Sequence, residues 1–277
     1  MKQINLMING IPGNVAVTIA GHVINDSRFH LVPFSLTGPE VQENKYSIQE
    51  SDVRLVKPDQ KSDIIDEIKK DYPGFISIDY THPTAVNSNA EFYVTNSIPF
   101  VMGTTGGDRE KLEQTVVNGS TSAVIAPNMA KQIVGFQAMM EYAANTFPDL
   151  FKGYSLSIKE SHQQGKADTS GTAKAMVKYY NQLGIPFSED EIIQERDPKV
   201  QKDSWKIPEE HLAGHGWHTY TMISPDKSTC FQFKHNINGR DIYVKGTLDG
   251  AIFLHKKIQE HSEKNGCIFT MIDVVKG

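Results

Sequence analysis

The stretch Glu160-Ser161-His162-Gln163 through Lys166, Asp168 and Ser170-Gly171-Thr172-Ala173 brings a proton-transfer group, a cation and an anion-binding turn together in the chain. His162 can give or take a proton near neutral pH. Lys166 offers a point charge to a carboxylate, or a proton if its pKa is lowered. Ser170-Gly171-Thr172 leads into the apolar-periodic positions Ala173, Ala175, Met176, Val177, Tyr179 and Tyr180. That reads as a helix start whose first N–H groups point outward and can bind an anion. The set suits a small substrate that carries carboxylates and must gain a proton. Each piece alone is ordinary, since Ser-Gly-Thr is also a plain helix cap. The weight rests on the combination and on what lies upstream.

The elements that must position these residues follow from the hydrophobic pattern. The first half alternates strand and helix signals: strands over Ile4–Asn9, Phe29–Leu36, Phe75–Tyr80, Pro99–Met102 and Ala123–Ala126, helices over Val15–Ile24, Ser62–Asp71 and Asp108–Val117. This rhythm implies a mostly parallel sheet with helices on both faces. Such sheets bind ligands beyond the carboxyl ends of their strands. The turns there are Gly10–Ala16, Thr81-His82-Pro83, Gly103–Gly106 and Pro127-Asn128-Met129.

The second half has another texture. Lys131–Phe147 is a long amphipathic helix, Tyr154–Glu160 a strand that delivers the His162 loop, and Ala173–Leu183 the helix after it. His218–Ser224, Thr229–Ile237 and Asp241–Lys245 read as further strands, with turns at Ser224-Pro225-Asp226 and Asn238-Gly239. An open mixed or antiparallel sheet flanked by helices is expected. Thr247–Glu263 reads as a closing helix, Phe269–Val275 as a short strand or extended tail, and Pro186–Pro208 as an irregular surface excursion.

A chain of 277 residues can form one large or two medium domains. A net charge of −5 argues against nucleic acid as the main partner. No apolar run approaches bilayer-spanning length, so no membrane partner is expected. The first residues run straight into a strand without the shape of a secretory signal. The expected compartment is the cytoplasm, or a plastid if a transit peptide has been removed. Cys230 and Cys267 fit no metal or redox spacing, and no two histidines share a ligating helix face. No metal site is indicated.

Gly10-Ile11-Pro12-Gly13-Asn14-Val15 follows the first strand and opens a helix, where glycines permit close approach of a pyrophosphate to the helix N-terminus. The second strand ends in Ser35-Leu36-Thr37-Gly38, with no acid until Glu40 to hold the ribose of NAD. Hydroxyls at Ser35 and Thr37 favour NADPH, although no Arg or Lys lies nearby in sequence; NADH stays open.

With these pieces in place, the chain resembles the dihydrodipicolinate reductase family, and within it the plant-like branch. The match runs from Glu160-Ser161-His162-Gln163 through Lys166, Asp168 and Ser170-Gly171-Thr172-Ala173. It continues in Asp79-Tyr80-Thr81-His82-Pro83, Gly103-Thr104-Thr105-Gly106, Ala126-Pro127-Asn128-Met129, Gly216-Trp217-His218-Thr219, His235, Arg240 and Gly246. Similarity therefore spans nearly the whole chain. The resemblance implies an α/β fold, with a Rossmann-like parallel-sheet cofactor domain and a second α+β domain with an open mixed sheet. It implies residues 1–129 and 241–277 for the dinucleotide-binding domain, and 130–240 for the substrate-binding and oligomerisation domain. A homotetramer or homodimer is expected, as the family forms both.

The implied reaction is NAD(P)H-dependent reduction of 4-hydroxy-tetrahydrodipicolinate, a small cyclic dicarboxylate, in lysine and diaminopimelate synthesis. On that reading His162 and Lys166 are catalytic, and which of them delivers the proton is open. Gln163, Ser170, Gly171, Thr172 and Arg240 would hold the substrate carboxylates. Gly10 to Val15, Ser35, Thr37, Tyr80 and Thr81 would hold the cofactor, with Gly103, Thr104, Thr105, Pro127, Asn128 and Met129. Two departures stand out: Asn14 replaces the arginine of the family's glycine turn, and Gln163 stands where many bacterial members keep a second histidine. They leave room for a related reductase of another imino or carbonyl acid. A cofactor-binding regulatory protein without catalysis would need neither His162 nor Lys166.

Overall fold

The computed structural model describes residues 3–260 and 266–277. Along the chain, β1 (Ile4–Asn9) turns at Gly10–Gly13 into α1 (Asn14–Ile24), which buries Ala16, Ile19, Ala20 and Val23 at helical spacing. One strand is expected over Phe29–Leu36, but two form, β2 (Phe29–Leu31) and β3 (Phe34–Leu36). The break falls at Val32-Pro33, because Pro33 has no N–H to continue the ladder. β2 pairs with β1, while β3 turns away to pair with β5 (Ser51–Val56), which forms a hairpin with β4 (Lys45–Ile48). The hydrophobic pattern missed this hairpin, which is largely polar on its exposed side.

Next come α2 (Lys61–Asp71), β6 (Ile76–Asp79), α3 (Val86–Thr95), β7 (Phe100–Met102), α4 (Arg109–Val117) and β8 (Ala123–Ile125). α5 (Lys131–Thr146), β9 (Ser155–His162) and α6 (Gly171–Gln182) follow. His162 is thus the last residue of a strand rather than part of a loop. The expected surface excursion at Pro186–Pro208 is instead structured, with β10 (Ile193–Glu195) parallel to β9 and α7 (Pro198–Asp203) capped by Asp197. Its apolar residues follow no helical or strand period, yet Ile192 and Ile207 are buried and Phe187 packs on the second core, and side-chain hydrogen bonds add to that anchoring.

After β11 (His215–Ile223) and β12 (Cys230–Asn238), the strand expected at Asp241–Lys245 is the first turns of a long helix, α8 (Asp241–Glu260). The local alternation of Ile242, Tyr243 and Val244 looks strand-like. The longer period Val244, Leu248, Ala251, all buried, decides for helix. Residues 261–263 of the expected closing helix lie outside the described residues. Near the end, β13 (Ile268–Phe269) is followed by α9 (Met271–Lys276), whose cap is Thr270 paired with Asp273.

The chain divides into two compact units, Met1–Lys131 with Asp241–Gly277, and Gln132–Arg240. In the first, an all-parallel sheet has the order β13-β8-β7-β6-β1-β2, with β3, β5 and β4 as a smaller sheet. Its core gathers Met7, Ile68, Tyr93, Phe100 and Leu112. In the second, a mixed sheet of order β10-β9-β11-β12 packs Ile158, Tyr220 and Met222 against Met140 of α5 and Met176 and Tyr180 of α6. Among the described residues, no helix is long and apolar enough to cross a membrane.

Candidate active site

In the second unit, three strands place Glu160, His218 and His235 in one cross-strand row, Glu160 opposite His218 and His218 opposite His235. His162, two residues beyond Glu160, points to the same face. It lies opposite Gly216, and a Cβ there would stand 3.0 Å from the ring carbon Cε1. Glycine at 216 therefore makes room for the imidazole.

Glu160 is fully buried. Its Oε1 accepts a 2.6 Å hydrogen bond from Arg196 Nη2, and its Oε2 accepts one of 3.0 Å from the Ser170 amide. His218 Nε2 stands 3.6 Å from Oε2, an ion-pair distance rather than a hydrogen bond. Burial pushes the Glu160 carboxyl up, but His218, Arg196, His162 and the Ser170 amide outweigh it and hold it well below the usual carboxylate range.

His162 Nδ1 lies 3.0 Å from the His215 carbonyl oxygen. A carbonyl only accepts, so the proton sits on Nδ1, and Nε2 carries the lone pair of the neutral ring. That Nε2 is buried without a hydrogen-bond partner, 3.9 Å from Glu160 Oε2. Burial, then the charge of His218, push the His162 pKa well below the ordinary imidazole range, against the pull of Glu160. At neutral pH the ring is therefore a neutral acceptor held in one tautomer.

Lys166 sits on the partly exposed turn after β9, with its amide donating to the Gln163 carbonyl at 3.0 Å. Arg196 staples this turn: Nε donates to the Lys166 carbonyl at 2.9 Å while Nη2 holds Glu160. Gln201 of α7, fully buried, donates to the His162 carbonyl at 2.7 Å. Arg196 and Gln201 are what the sequence reading missed, because they come from the segment read as irregular. Ser170 caps α6 with its hydroxyl accepting from the Thr172 amide, so that amide is already used. Gly171 opens onto free space, where an added Cβ meets nothing within 4 Å. Arg240 is exposed at the end of this unit, its guanidinium near Gly214.

Glu160, His162 and His218 hold their ligating atoms within 4.8 Å of one another, a donor set suited to a divalent ion. Arg196 and the Ser170 amide already bond the carboxylate, while His162 Nε2 and both His218 ring nitrogens are buried without a hydrogen-bond partner.

In the first unit, the turns at the carboxyl ends of the strands line a cleft of about 950 Å³. Gly10 has φ +100°, and a Cβ there would stand 2.2 Å from the Tyr80 carbonyl oxygen. Gly13 caps α1 with no side-chain hydrogen bond, leaving the helix start open toward the cleft. A cradle of this kind, next to an uncapped helix N-terminus, fits the pyrophosphate of a dinucleotide.

Behind the cleft, buried Asp79 accepts from Thr81 Oγ1 (2.8 Å), Tyr93 (2.7 Å), Asn89 (3.1 Å) and Thr104 Oγ1 (2.7 Å), tying two turns to α3. Ser35 is fully buried, its hydroxyl accepting from the Ile11 amide, and Thr37 donates to the Ile11 carbonyl at 2.8 Å. Both hydroxyls brace the glycine turn. Tyr80 bonds Thr247 at 2.6 Å and packs on Gly103, and burial pushes its hydroxyl up to about 12. Asn14 is the first residue of α1, and Ile11, Pro12 and Val15 flank it. Thr105 and Pro127 are exposed; Asn128 accepts from the Ala130 amide at 2.9 Å, and the Met129 carbonyl packs where Gly246 lacks a side chain.

The family models described as dihydrodipicolinate reductase N-terminus and C-terminus match residues 4–129 and 133–275. A probable 4-hydroxy-tetrahydrodipicolinate reductase 1, chloroplastic, from Oryza sativa subsp. japonica is 44% identical over 98% of this chain and 78% of its own length. The chloroplastic 4-hydroxy-tetrahydrodipicolinate reductase 2 of Arabidopsis thaliana is 41% identical over 99% of this chain and 77% of its own. The fold is shared with a dipicolinate-bound dihydrodipicolinate reductase from Paenisporosarcina sp. TG-14, at TM-score 0.65 and 19% identity, over 98% of this chain and 99% of that one. Two family models that together cover nearly all of the chain, and relatives above 40% identity along its length, place it in the dihydrodipicolinate reductase family.

Proposed function

We propose that this chain reduces 4-hydroxy-tetrahydrodipicolinate to tetrahydrodipicolinate with a nicotinamide dinucleotide, in lysine and diaminopimelate synthesis. Full-length likeness to reductases of that name supports the reaction. The observation that carries the division of labour is the His162 ring, neutral and fixed as an Nδ1–H tautomer by the His215 carbonyl.

The unit made of Met1–Lys131 and Asp241–Gly277 is the dinucleotide-binding domain. Gly10 to Val15 receive the pyrophosphate, and Thr81, Gly103 to Thr105 and Pro127 to Met129 form the rest of the rim. Ser35, Thr37 and Tyr80 act mainly by bracing these turns. When bound, the cofactor supplies a hydride. NADPH is the preferred form, with NADH also accepted. Gln132–Arg240 is the substrate domain. Gly171 and the α6 N-terminus take one carboxylate, with Gln163 and Arg240 assisting.

A neutral imidazole with its proton committed to a backbone carbonyl is a poor acid. Lys166 is therefore the proton donor, carrying the proton on its Nζ to the reduced ring system. His162 presents the Nε2 lone pair and orients the substrate by accepting a hydrogen bond there. Glu160, Arg196 and Gln201 are positioning residues that fix His162 and the Lys166 turn.

The chain is proposed to act as a homodimer or homotetramer, with β12, at the edge of its sheet, exposing Phe231 and Phe233 as the joining surface. The proposed compartment is the cytoplasm, with a plastid the alternative that chloroplastic relatives support.

The test is NADPH oxidation with the cyclic dicarboxylate under single-turnover conditions. Lys166→Ala should cut the rate by ~10²–10⁴, the usual worth of a general acid, and leave NADPH affinity within a few-fold. His162→Gln should cost less. A Lys166→Ala rate close to wild type would remove Lys166 as donor, and no turnover by the wild type would remove the reaction itself.

A further inference from the structure

The sequence offers no lysine or arginine beside Thr37-Gly38 to meet a 2′-phosphate, yet the fold brings one there. β3 and β5 run side by side, Leu36 opposite Val56, and the Thr37 amide donates to the Val56 carbonyl at 3.0 Å. The end of β5 therefore lies beside the ribose turn, and the first residue of α2, Lys61, is delivered to the same rim. Lys61 lines the 950 Å³ cleft together with Thr37, Gly38 and Glu40.

Lys61 is half-buried, and among the described residues no carboxylate forms an ion pair with it, although Asp79 and Glu91 pull on its charge from farther off. Nζ donates to Asn89 Oδ1 at 3.5 Å and lies 4.8 Å over the Phe92 ring. A neutral amide and a ring face are weak company for a partly desolvated ammonium. Asp79, the nearby buried acid, is already occupied by Thr81, Asn89, Tyr93 and Thr104. α2 adds its positive end, since Gln60 caps it with no side-chain hydrogen bond.

Opposing this, Glu40 folds back over Gly38, so that a Cβ on Gly38 would fall on its carboxylate. That places an acid where a ribose hydroxyl would be held and a phosphate repelled.

We propose that Lys61 and Glu40 are the charge pair that sets cofactor choice in this cleft, Lys61 receiving the 2′-phosphate of NADPH and Glu40 favouring the free ribose hydroxyls of NADH. This rests on the reading of the cleft as a dinucleotide site. It deepens that reading by naming the residues that discriminate.

The experiment is titration of the full chain with NADPH and, separately, NADH, following nicotinamide fluorescence, for wild type, Lys61→Met, Lys61→Arg and Glu40→Gln. Lys61→Met should weaken NADPH about tenfold or more, in line with loss of a charge-assisted contact, and change NADH less than about twofold. Lys61→Arg, which keeps the charge, should retain most NADPH affinity. Glu40→Gln should shift the ratio the other way, tightening NADPH severalfold and weakening NADH. Equal weakening of both dinucleotides by Lys61→Met would overturn the proposal, because the lysine would then serve the shared adenosine. No change in either would overturn it as well. Failure of the wild type to bind either dinucleotide would sink the dinucleotide reading instead, a result distinct from these.

Discussion

At the carboxyl ends of β1, β6 and β7 the turns are held largely by backbone and neutral side chains. Gly10 and Gly103 let neighbouring turns touch, and hydroxyls and amides surround the single buried acid, Asp79. At the end of β9 the supports are charged or chargeable: Arg196, His218 and His162 all gather around the buried Glu160 carboxylate. The first arrangement suits a dinucleotide whose pyrophosphate is met by backbone amides and shape. The second suits chemistry in which a proton moves, since buried titratable groups respond to it.

The largest expected effect tests whether the charged row is what holds the second region. Arg196→Met leaves Glu160 buried without its 2.6 Å guanidinium partner, and breaking such a pair costs about 3–5 kcal/mol. Both tryptophans, Trp205 and Trp217, lie in the second unit, so their fluorescence reports its unfolding. The urea midpoint read by tryptophan should drop sharply and turnover should fall, while NADPH affinity stays near wild type. A midpoint within about 1 kcal/mol of wild type would show that Arg196 is not the support proposed.

The two regions also differed in how far they could be read from sequence. Gly10–Val15 and Gly103–Thr105 are contiguous, and their glycines mark where backbone must approach backbone, so the turns were legible. His162, Lys166 and Ser170 were legible for the same reason. Arg196, Gln201 and the row Glu160–His218–His235 were not, because strand pairing and a segment whose apolar residues follow no period bring them together. Lys61 was hidden likewise by the pairing of β3 with β5. The misread strand at Asp241–Lys245 shows the limit of short windows: five residues fit alternation, and only the burial of Leu248 and Ala251 reveals the helix. His162 was legible as a proton carrier, but its neutral state was not, since desolvation depends on residues far along the chain.

A smaller effect should fall on the first region alone. Gly10→Ala forces a Cβ to within 2.2 Å of the Tyr80 carbonyl at a φ of +100°. The glycine turn must shift, so NADPH affinity should fall by about tenfold or more, roughly 1.4 kcal/mol, with little change in the tryptophan-detected midpoint. A midpoint that falls as far as in Arg196→Met would show that the glycine turn and the second unit unfold together.

The last effect is one of pH, read in the second region by its tryptophans. His235 is pushed down to about 3 by burial and by the charges of His218 and His162; His162 and His215 are also lowered, each chiefly by burial. In the unfolded chain these rings bind protons near the ordinary value of 6.5. Between that value and their folded pKa, the unfolded state holds more protons, so stability falls as pH drops. Glu160, also lowered in the folded chain, acts with the same sign, but its window lies below its ordinary value of 4.5, so it adds little above pH 5. From pH 7 to 5, the tryptophan-detected unfolding free energy should therefore drop, His235 contributing about 1–2 kcal/mol of the fall. His235→Gln should remove its own share of that slope. It leaves the His162–His215 hydrogen bond in place, so a slope unchanged in this variant would mean that His235 is protonated alike in the folded and unfolded chain.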